Sequence, residues 1–147
     1  MPSVTRTRTI RAGSQELWDV IADPSHFPRW WPDVVRVEDA TPLAWTQVLS
    51  TPKGATIRAD FTRTAAEEPR RIAWRQEIEA SPFERILSEH VTEVLLEPKD
   101  DTATKVKLHT VQRLRGHSRF GGFLFRRATR RKLDAALDGL ASISEGT

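Results

Sequence analysis

The chain has 147 residues, of which 29% are charged and 38% are hydrophobic, with no cysteine and a formal net charge of +3. This length predicts a single domain over residues 1–147, able to bury roughly two-thirds of its unfolded surface. The composition shows none of the features of a membrane span, a secretory signal peptide or a disulfide framework. We therefore expect a soluble protein of the bacterial cytoplasm.

The chain is predicted to begin with a strand followed by two short helices. Residues 4–11 alternate between β-branched and polar side chains, as a strand does. Ser14 is predicted to cap the first helix, whose apolar residues recur at helical spacing until Pro24 ends it. A second helix is predicted over residues 25–31, in a segment where tryptophan and proline are concentrated.

Beyond Asp33 the apolar period changes to two, which predicts six further strands. Their short connections predict an antiparallel meander. The positions predicted to face the core, in chain order, are Val35, Val37, Leu43, Trp45, Gln47, Leu49, Ile57, Ala59, Phe61, Ile72, Trp74, Gln76, Ile78, Ile86, Ser88, His90, Thr92, Val94, Leu96, Val106, Leu108, Thr110, Gln112 and Leu114.

A long helix is predicted to follow the breaks at Gly116 and Gly121-Gly122 and to end near Ser144. Its predicted apolar stripe consists of Phe120, Phe123, Leu124, Ala128, Leu133, Ala136, Leu137, Leu140 and Ile143. Residues 102–133 contain ten Lys or Arg and no Asp or Glu, so the rest of the chain carries 3 minus 10, or −7. Such a basic block suits a solvated helix face, an anionic ligand, an anionic membrane or nucleic acid.

One curved antiparallel sheet around one long helix is the economical way to bury a single apolar stripe. This element order, the motifs WDVIADP (residues 18–24) and FPRWWPDV (27–34), and the Arg-rich helix over 126–140 resemble the START-like (SRPBCC) superfamily. The most similar group within it is the polyketide cyclase/dehydrase and lipid transport group. The resemblance implies an α+β helix-grip fold: a seven-stranded curved antiparallel sheet around a long C-terminal helix, with two short helices between strands 1 and 2. It also implies a cavity between sheet and helix for a hydrophobic or aromatic ligand, such as a lipid, a polyketide or a quinone.

Polar side chains among aromatic ones on the inward face also indicate a ligand pocket, since unsatisfied buried polar groups are costly. The alternative is that these polar groups hydrogen-bond one another or ordered water. Trp18, Trp30 and Trp31 are expected to be scaffold residues, whereas Trp74 suits either the core or the pocket. The residues predicted to contact a ligand are Trp45, Phe61, Trp74, Gln76, Ser88, His90, Thr110, Gln112, Phe123 and Leu124.

The sequence offers little for catalysis. Ser88 and His90 share a predicted strand face but lie roughly 7 Å apart, too far for a direct hydrogen bond from nucleophile to base. His90 is the only catalytic candidate, and it is a weak one. The four histidines are scattered, so we expect no metal site, and we expect no cofactor.

Three functions remain open. The leading hypothesis is a non-catalytic protein that binds a hydrophobic small molecule. The second is a polyketide aromatase/cyclase or dehydratase in which His90 acts as acid or base. The third is a peripheral lipid carrier or assembly factor that docks on an anionic membrane or a protein partner. We expect a monomer or homodimer and no nucleic-acid binding. The residues predicted to dock are Arg126, Arg127, Arg130, Arg131 and Lys132.

Overall fold

A computed structural model describes residues 3–116 and 119–145, with the side chains of residues 119–123 outside that description. Seven antiparallel strands form one sheet in the order β1-β7-β6-β5-β4-β3-β2. Strands β2 to β7 are therefore a continuous meander, and β1 pairs with the last strand. The strands are β1 Ser3–Ile10, β2 Val34–Glu38, β3 Ala44–Ser50, β4 Thr56–Glu67, β5 Arg71–Glu77, β6 Leu87–Asp100 and β7 Ala103–Leu114.

Two short helices connect β1 to β2, and one long helix closes the fold. They are α1 over Ser14–Ile21, α2 over Phe27–Trp30 and α3 over Arg119–Glu145. Short 3₁₀ turns occupy Pro24–His26 and Pro82–Arg85. This architecture confirms the predicted helix-grip fold. None of the helices within the described ranges is both long and apolar enough to cross a membrane.

Two predicted helix boundaries are wrong. Gly13 rather than Ser14 is the N-cap of α1, and Ser14 is already helical, with its Oγ 3.1 Å from Oγ1 of Thr104. Glycine suits this position because a Cβ on Gly13 would lie 3.0 Å from the carbonyl oxygen of Asp101. The Gly121-Gly122 pair lies within α3 instead of preceding it.

The β2–β3 hairpin corrects two predicted core positions. A register shift in β2 places Val34 inside the core and leaves Val35 50% exposed. A β-bulge adds one residue to a strand and so reverses the faces on which the neighbouring side chains lie. Leu43 is 70% exposed because it belongs to the turn that Thr41 closes on Ala44, before β3 begins.

Phe27 lies at the centre of an aromatic cluster that joins α2 to the sheet. Its ring stacks on Trp30 at 5.5 Å and on Trp45 at 5.7 Å between centroids. It also contacts Trp31 edge-on at 6.2 Å and Trp74 at 5.3 Å. Such offset and edge-on arrangements are the favourable geometries for aromatic rings. The tryptophan-rich segment therefore fixes α2 against strands β3 and β5.

Helix α3 packs closely on α2 and on the sheet. A Cβ at Gly139 would lie 2.5 Å from the carbonyl oxygen of Trp30, so the two backbones touch at this point. The C-terminal half of α3 supplies the residues that the helix buries most completely. They are Leu133, Ala136, Leu137, Leu140 and Ala141.

Candidate ligand-binding cavity

A cavity of about 310 Å³ lies between the sheet and the N-terminal half of α3. This volume falls at the lower end of the range typical of small-molecule sites. Exposed lining residues such as Ile86 and Lys132 mark its opening. The cavity is lined by Trp31, Pro32, Asp33, Gln47, Leu49, Ser50, Thr51, Pro52, Ile57, Phe61, Trp74, Gln76, Phe83, Ile86, Leu87, His90, Thr92, Gln112, Phe125 and Lys132.

Strand register builds the inner wall of this cavity. Trp45 pairs with Phe61 across β3 and β4, and Phe61 pairs with Gln76 across β4 and β5. On the neighbouring strands His90 pairs with Gln112. Directly opposed residues of antiparallel strands project from the same face of a sheet. These side chains form one row across strands β3 to β7. The row is aromatic on β3 and β4 and polar on β5, β6 and β7.

His90 and Gln76 form a hydrogen-bonded pair within this row. Nδ1 of His90 lies 2.9 Å from Oε1 of Gln76. Burial and, secondarily, the positive charge of Lys132 lower the pKa of His90 from 6.5 to about 4. The imidazole is therefore neutral near pH 7, and because Oε1 only accepts, Nδ1 carries the proton. Its Nε2 atom is left as an unprotonated hydrogen-bond acceptor.

The side-chain amide of Gln76 has one group without a partner. The buried side-chain nitrogens that find no hydrogen bond among the described residues are Trp30 Nε1, Trp45 Nε1, Arg63 Nε and Gln76 Nε2. Of these residues Gln76 alone lines the cavity, and it is only 5% exposed. A buried donor without a partner costs about 1–3 kcal/mol, so Nε2 favours a ligand or water that accepts a hydrogen bond.

Helix α3 contributes a third polar position and a charge. Oγ1 of Thr129 lies 2.8 Å from Oε1 of Gln112 and 2.9 Å from the carbonyl oxygen of Phe125. A hydroxyl donates one proton, so both contacts are satisfied when the Gln112 amide presents its NH₂ group to Thr129. Among the described lining residues the ionisable ones besides His90 are Lys132 and Asp33. Lys132 brings a positive charge to the opening.

The structure brings about half of the predicted ligand contacts together. Trp45 stacks on Phe61 at 6.1 Å and lies behind it, outside the lining. Thr110 is buried, with its Oγ1 3.2 Å from that of Thr92, so it belongs to the core. The predicted residues that line the cavity are Phe61, Trp74, Gln76, His90 and Gln112.

Two further predicted positions, Ser88 and Leu124, lie outside the cavity. A register shift at the start of β6 turns Leu87 inward, and Ser88 becomes exposed, with its Oγ donating to the carbonyl oxygen of Arg113 at 3.4 Å. Leu124 is 61% exposed, and Phe125 takes the cavity-facing position on α3. The side chain of Phe123 lies outside the described residues.

Sequence reasoning also missed several lining residues. Trp31, expected to be scaffold, lines the cavity because the extended backbone after α2 turns its ring edge-on to Trp74, at 5.8 Å. Ile86 is predicted to face the core from a strand, but it follows the 3₁₀ turn over Pro82–Arg85 and lies at the opening, where Phe83 of that turn also lines the cavity. The signal for that turn is present in Ser81-Pro82, because Ser81 Oγ accepts from the backbone of Phe83.

A family profile described as polyketide cyclase/dehydrase and lipid transport matches residues 1–145. The chain belongs to this family. Its members are grouped under both cyclisation and lipid transport, and both activities require a site for a hydrophobic small molecule. Membership in the polyketide cyclase/dehydrase and lipid transport family therefore supports hydrophobic ligand binding or a cyclase role. No curated protein matches the sequence significantly.

Solved structures share the fold of this family member. A START superfamily protein from Mycobacterium smegmatis aligns with a TM-score of 0.80 at 12% identity, covering 98% of this chain and 97% of that chain. The ZhuI aromatase/cyclase from Streptomyces sp. R1128 aligns at 0.78 and 20% identity, covering 97% and 93%. The di-domain aromatase/cyclase BexL aligns at 0.78 and 22% identity, covering 96% of this chain and 45% of that chain. At these identities the likeness shows the fold alone.

Proposed function

We propose that this protein binds a hydrophobic or aromatic small molecule of lipid, polyketide or quinone type and holds it without covalent chemistry. The observation that carries the proposal is a pair of polar atoms on the cavity wall that have no hydrogen-bond partner among the described residues. Gln76 Nε2 is a buried donor that no described residue accepts from, and the neutral His90 presents Nε2 as an acceptor. The two side chains are joined by a hydrogen bond, so they present their remaining groups as one unit.

The hydrogen-bonding complement of this pair is a carbonyl next to a hydroxyl. A ligand carbonyl would accept from Gln76 Nε2, and a ligand hydroxyl would donate to His90 Nε2. Aromatic hydroxy-ketones carry both groups on one edge. The rings of Phe61, Trp74 and Trp31 provide apolar walls for the rest of the molecule. Lys132 at the opening favours an ionised acid or phenolate at the outer end.

A second candidate function is polyketide cyclisation or dehydration with His90 as a base. The unprotonated Nε2 in the cavity favours it. However, a conjugate acid whose pKa is about 4 makes His90 a weak base and leaves its Nε2 atom without a proton to donate to a substrate near pH 7. Binding therefore has the stronger support. Turnover of a poly-β-ketone by the wild type that His90→Asn abolishes, with ligand affinity retained, would favour the enzyme instead.

The binding proposal is tested by calorimetry with two matched ligands. A naphthoquinone with a hydroxyl next to one carbonyl should bind at least about fivefold more tightly than the same quinone without the hydroxyl. This factor corresponds to the free energy of one hydrogen bond. The chain has no cysteine, so quinone alkylation of thiols does not interfere.

Gln76→Met keeps the side-chain shape and removes the Nε2 donor. It should weaken the binding of both ligands. Gln15→Met, on the exposed face of α1, is the matched control and should bind as the wild type does. Thermal unfolding of both variants checks that they are folded. If the folded wild type binds neither ligand nor any member of an aromatic and lipid panel below millimolar, the proposed function is wrong.

A further inference from the structure

Helix α3 has two different surfaces along its length. In its C-terminal half, Asp134 and Asp138 form ion pairs with Arg6 and Arg8 of β1, which tie the helix to the edge of the sheet. Among the side chains that the structure describes, its N-terminal half carries four exposed arginines, and none of them forms an ion pair with another described side chain. This surface, the basic face of α3, consists of Arg126, Arg127, Arg130 and Arg131.

The stability of the fold does not account for the basic face. Arg126 and Arg130 are one helical turn apart, as are Arg127 and Arg131, and like charges at this spacing destabilise a helix. Several exposed arginines of the sheet, in contrast, form ion pairs with acidic side chains. Arg36 and Arg58, for example, both contact the carboxylate of Glu38. The charges of these two arginines are neutralised locally, whereas those of the basic face are left for a partner.

An exposed aliphatic residue lies within the basic face. Leu124 is 61% exposed and precedes Arg127 by three residues, so the two lie on the same side of the helix. Ile86, which is 52% exposed, stands at the opening of the cavity. Arginines beside exposed aliphatic side chains are the pattern of a surface that enters the headgroup region of a bilayer.

The basic face also borders the cavity. Phe125 and Lys132 belong to the same two turns of α3 and line the cavity, while Arg127 and Arg131 between them are exposed. Lys132 is both exposed and part of the lining, so a flat partner that covers its neighbour Arg131 would reach the side of the helix on which the cavity opens. A hydrophobic ligand partitions into lipid, so a lipid surface is the partner from which such a cavity could be filled.

We propose that the basic face of α3, together with Leu124, docks this protein on an anionic lipid membrane. Guanidinium groups bind lipid phosphates, each cation gains attraction near an anionic surface, and Leu124 enters the boundary between headgroups and acyl chains. Docking does not require a ligand in the cavity, so it stands or falls separately from the proposed function.

Vesicle sedimentation tests the proposal with the full chain. Vesicles of phosphatidylcholine mixed with phosphatidylglycerol should bind the protein, and binding should fall as salt is added. Vesicles of phosphatidylcholine alone should bind it weakly. Changing a single arginine of the basic face to Gln should weaken binding about fivefold, and changing all four about a thousandfold.

Two matched controls separate docking from total charge and total hydrophobicity. Replacing Arg36, Arg58, Arg70 and Arg75 by Gln removes the same charge from exposed positions and should retain most of the binding. Leu124→Ser should weaken binding, whereas Leu43→Ser, at a comparably exposed position, should not. Equal losses in the two arginine sets would overturn the proposal, as would equal binding to both vesicle types. Binding to polyglutamate but not to vesicles would assign the face to an acidic protein.

Discussion

The half-buried His90 makes the stability of this protein depend on pH. His90 has a folded-state pKa of about 4, against an ordinary value of 6.5. The unfolded chain therefore takes up a proton at a higher pH than the folded chain. Stability from this group is fully present above about pH 6.5 and is lost as the pH falls towards 4.

The magnitude follows from the shift. A difference of about 2.5 pKa units, at about 1.4 kcal/mol per unit, amounts to about 3 kcal/mol when titration is complete. Between about pH 7.5 and pH 5 the linkage relation gives a loss of about 2 kcal/mol. That is a large part of the roughly 5–15 kcal/mol by which a domain is stable.

Urea unfolding of the wild type and of His90→Asn at several pH values measures this loss. Asn is suitable because its Nδ2 can replace Nδ1 of His90 as donor to Oε1 of Gln76. The wild type should lose about 2 kcal/mol relative to the variant on going from about pH 7.5 to pH 5. The other titrating groups are common to both proteins, so their contributions cancel in the difference between the two free energies of unfolding. Parallel pH profiles for the two proteins would refute the assignment of a neutral His90 with a lowered pKa.

Two further predictions concern the packing of α3. Gly139→Ala places a Cβ against the backbone of α2 and should lower the free energy of unfolding by about 1–3 kcal/mol, with the melting temperature falling roughly 2–4 °C per kcal/mol. Ser142→Ala, at an exposed position on the same helix, should not lower it, and equal melting of the two variants would contradict the close contact. Leu140→Ala should cost about 2–5 kcal/mol in urea unfolding because Leu140 is fully buried. Leu43→Ala should change stability by less than about 0.5 kcal/mol, and a similar loss in both would contradict the packing.

The fold could be predicted from the sequence because its signals are long and repeated. The alternation over β5 predicts one buried and one solvated face, and the structure buries Ile72, Trp74 and Gln76 and exposes Arg75 and Glu77. The stripe from Leu133 to Leu140 likewise extends over two helical turns. In patterns of this length, a wrong orientation predicted for one residue does not change the predicted element.

The candidate site could be predicted only where the strands are regular. Gln76, His90 and Gln112 lie in uninterrupted stretches of strand, and their predicted orientations match the structure. Ser88 lies beside a bulge, where one additional residue exchanges inside and outside. Leu124 and Phe125 are adjacent apolar residues, and only one of them can face the cavity. Packing places Phe125 there, which periodicity alone does not predict. Local irregularities of this kind leave no periodic signal in the sequence.

Helix α3 connects the two proposals through a single stretch of chain. Along residues 125–132 the inward side chains belong to the cavity, and the outward arginines belong to the basic face. The inward and outward side chains belong to the same rigid helix. A membrane that binds the arginines therefore also fixes the position of Phe125 and Lys132 relative to its surface. Lys132, at the opening, would then lie close to the lipid phosphates. An anionic membrane would reduce the effect of its charge on His90, and the pKa of His90 should rise on docking.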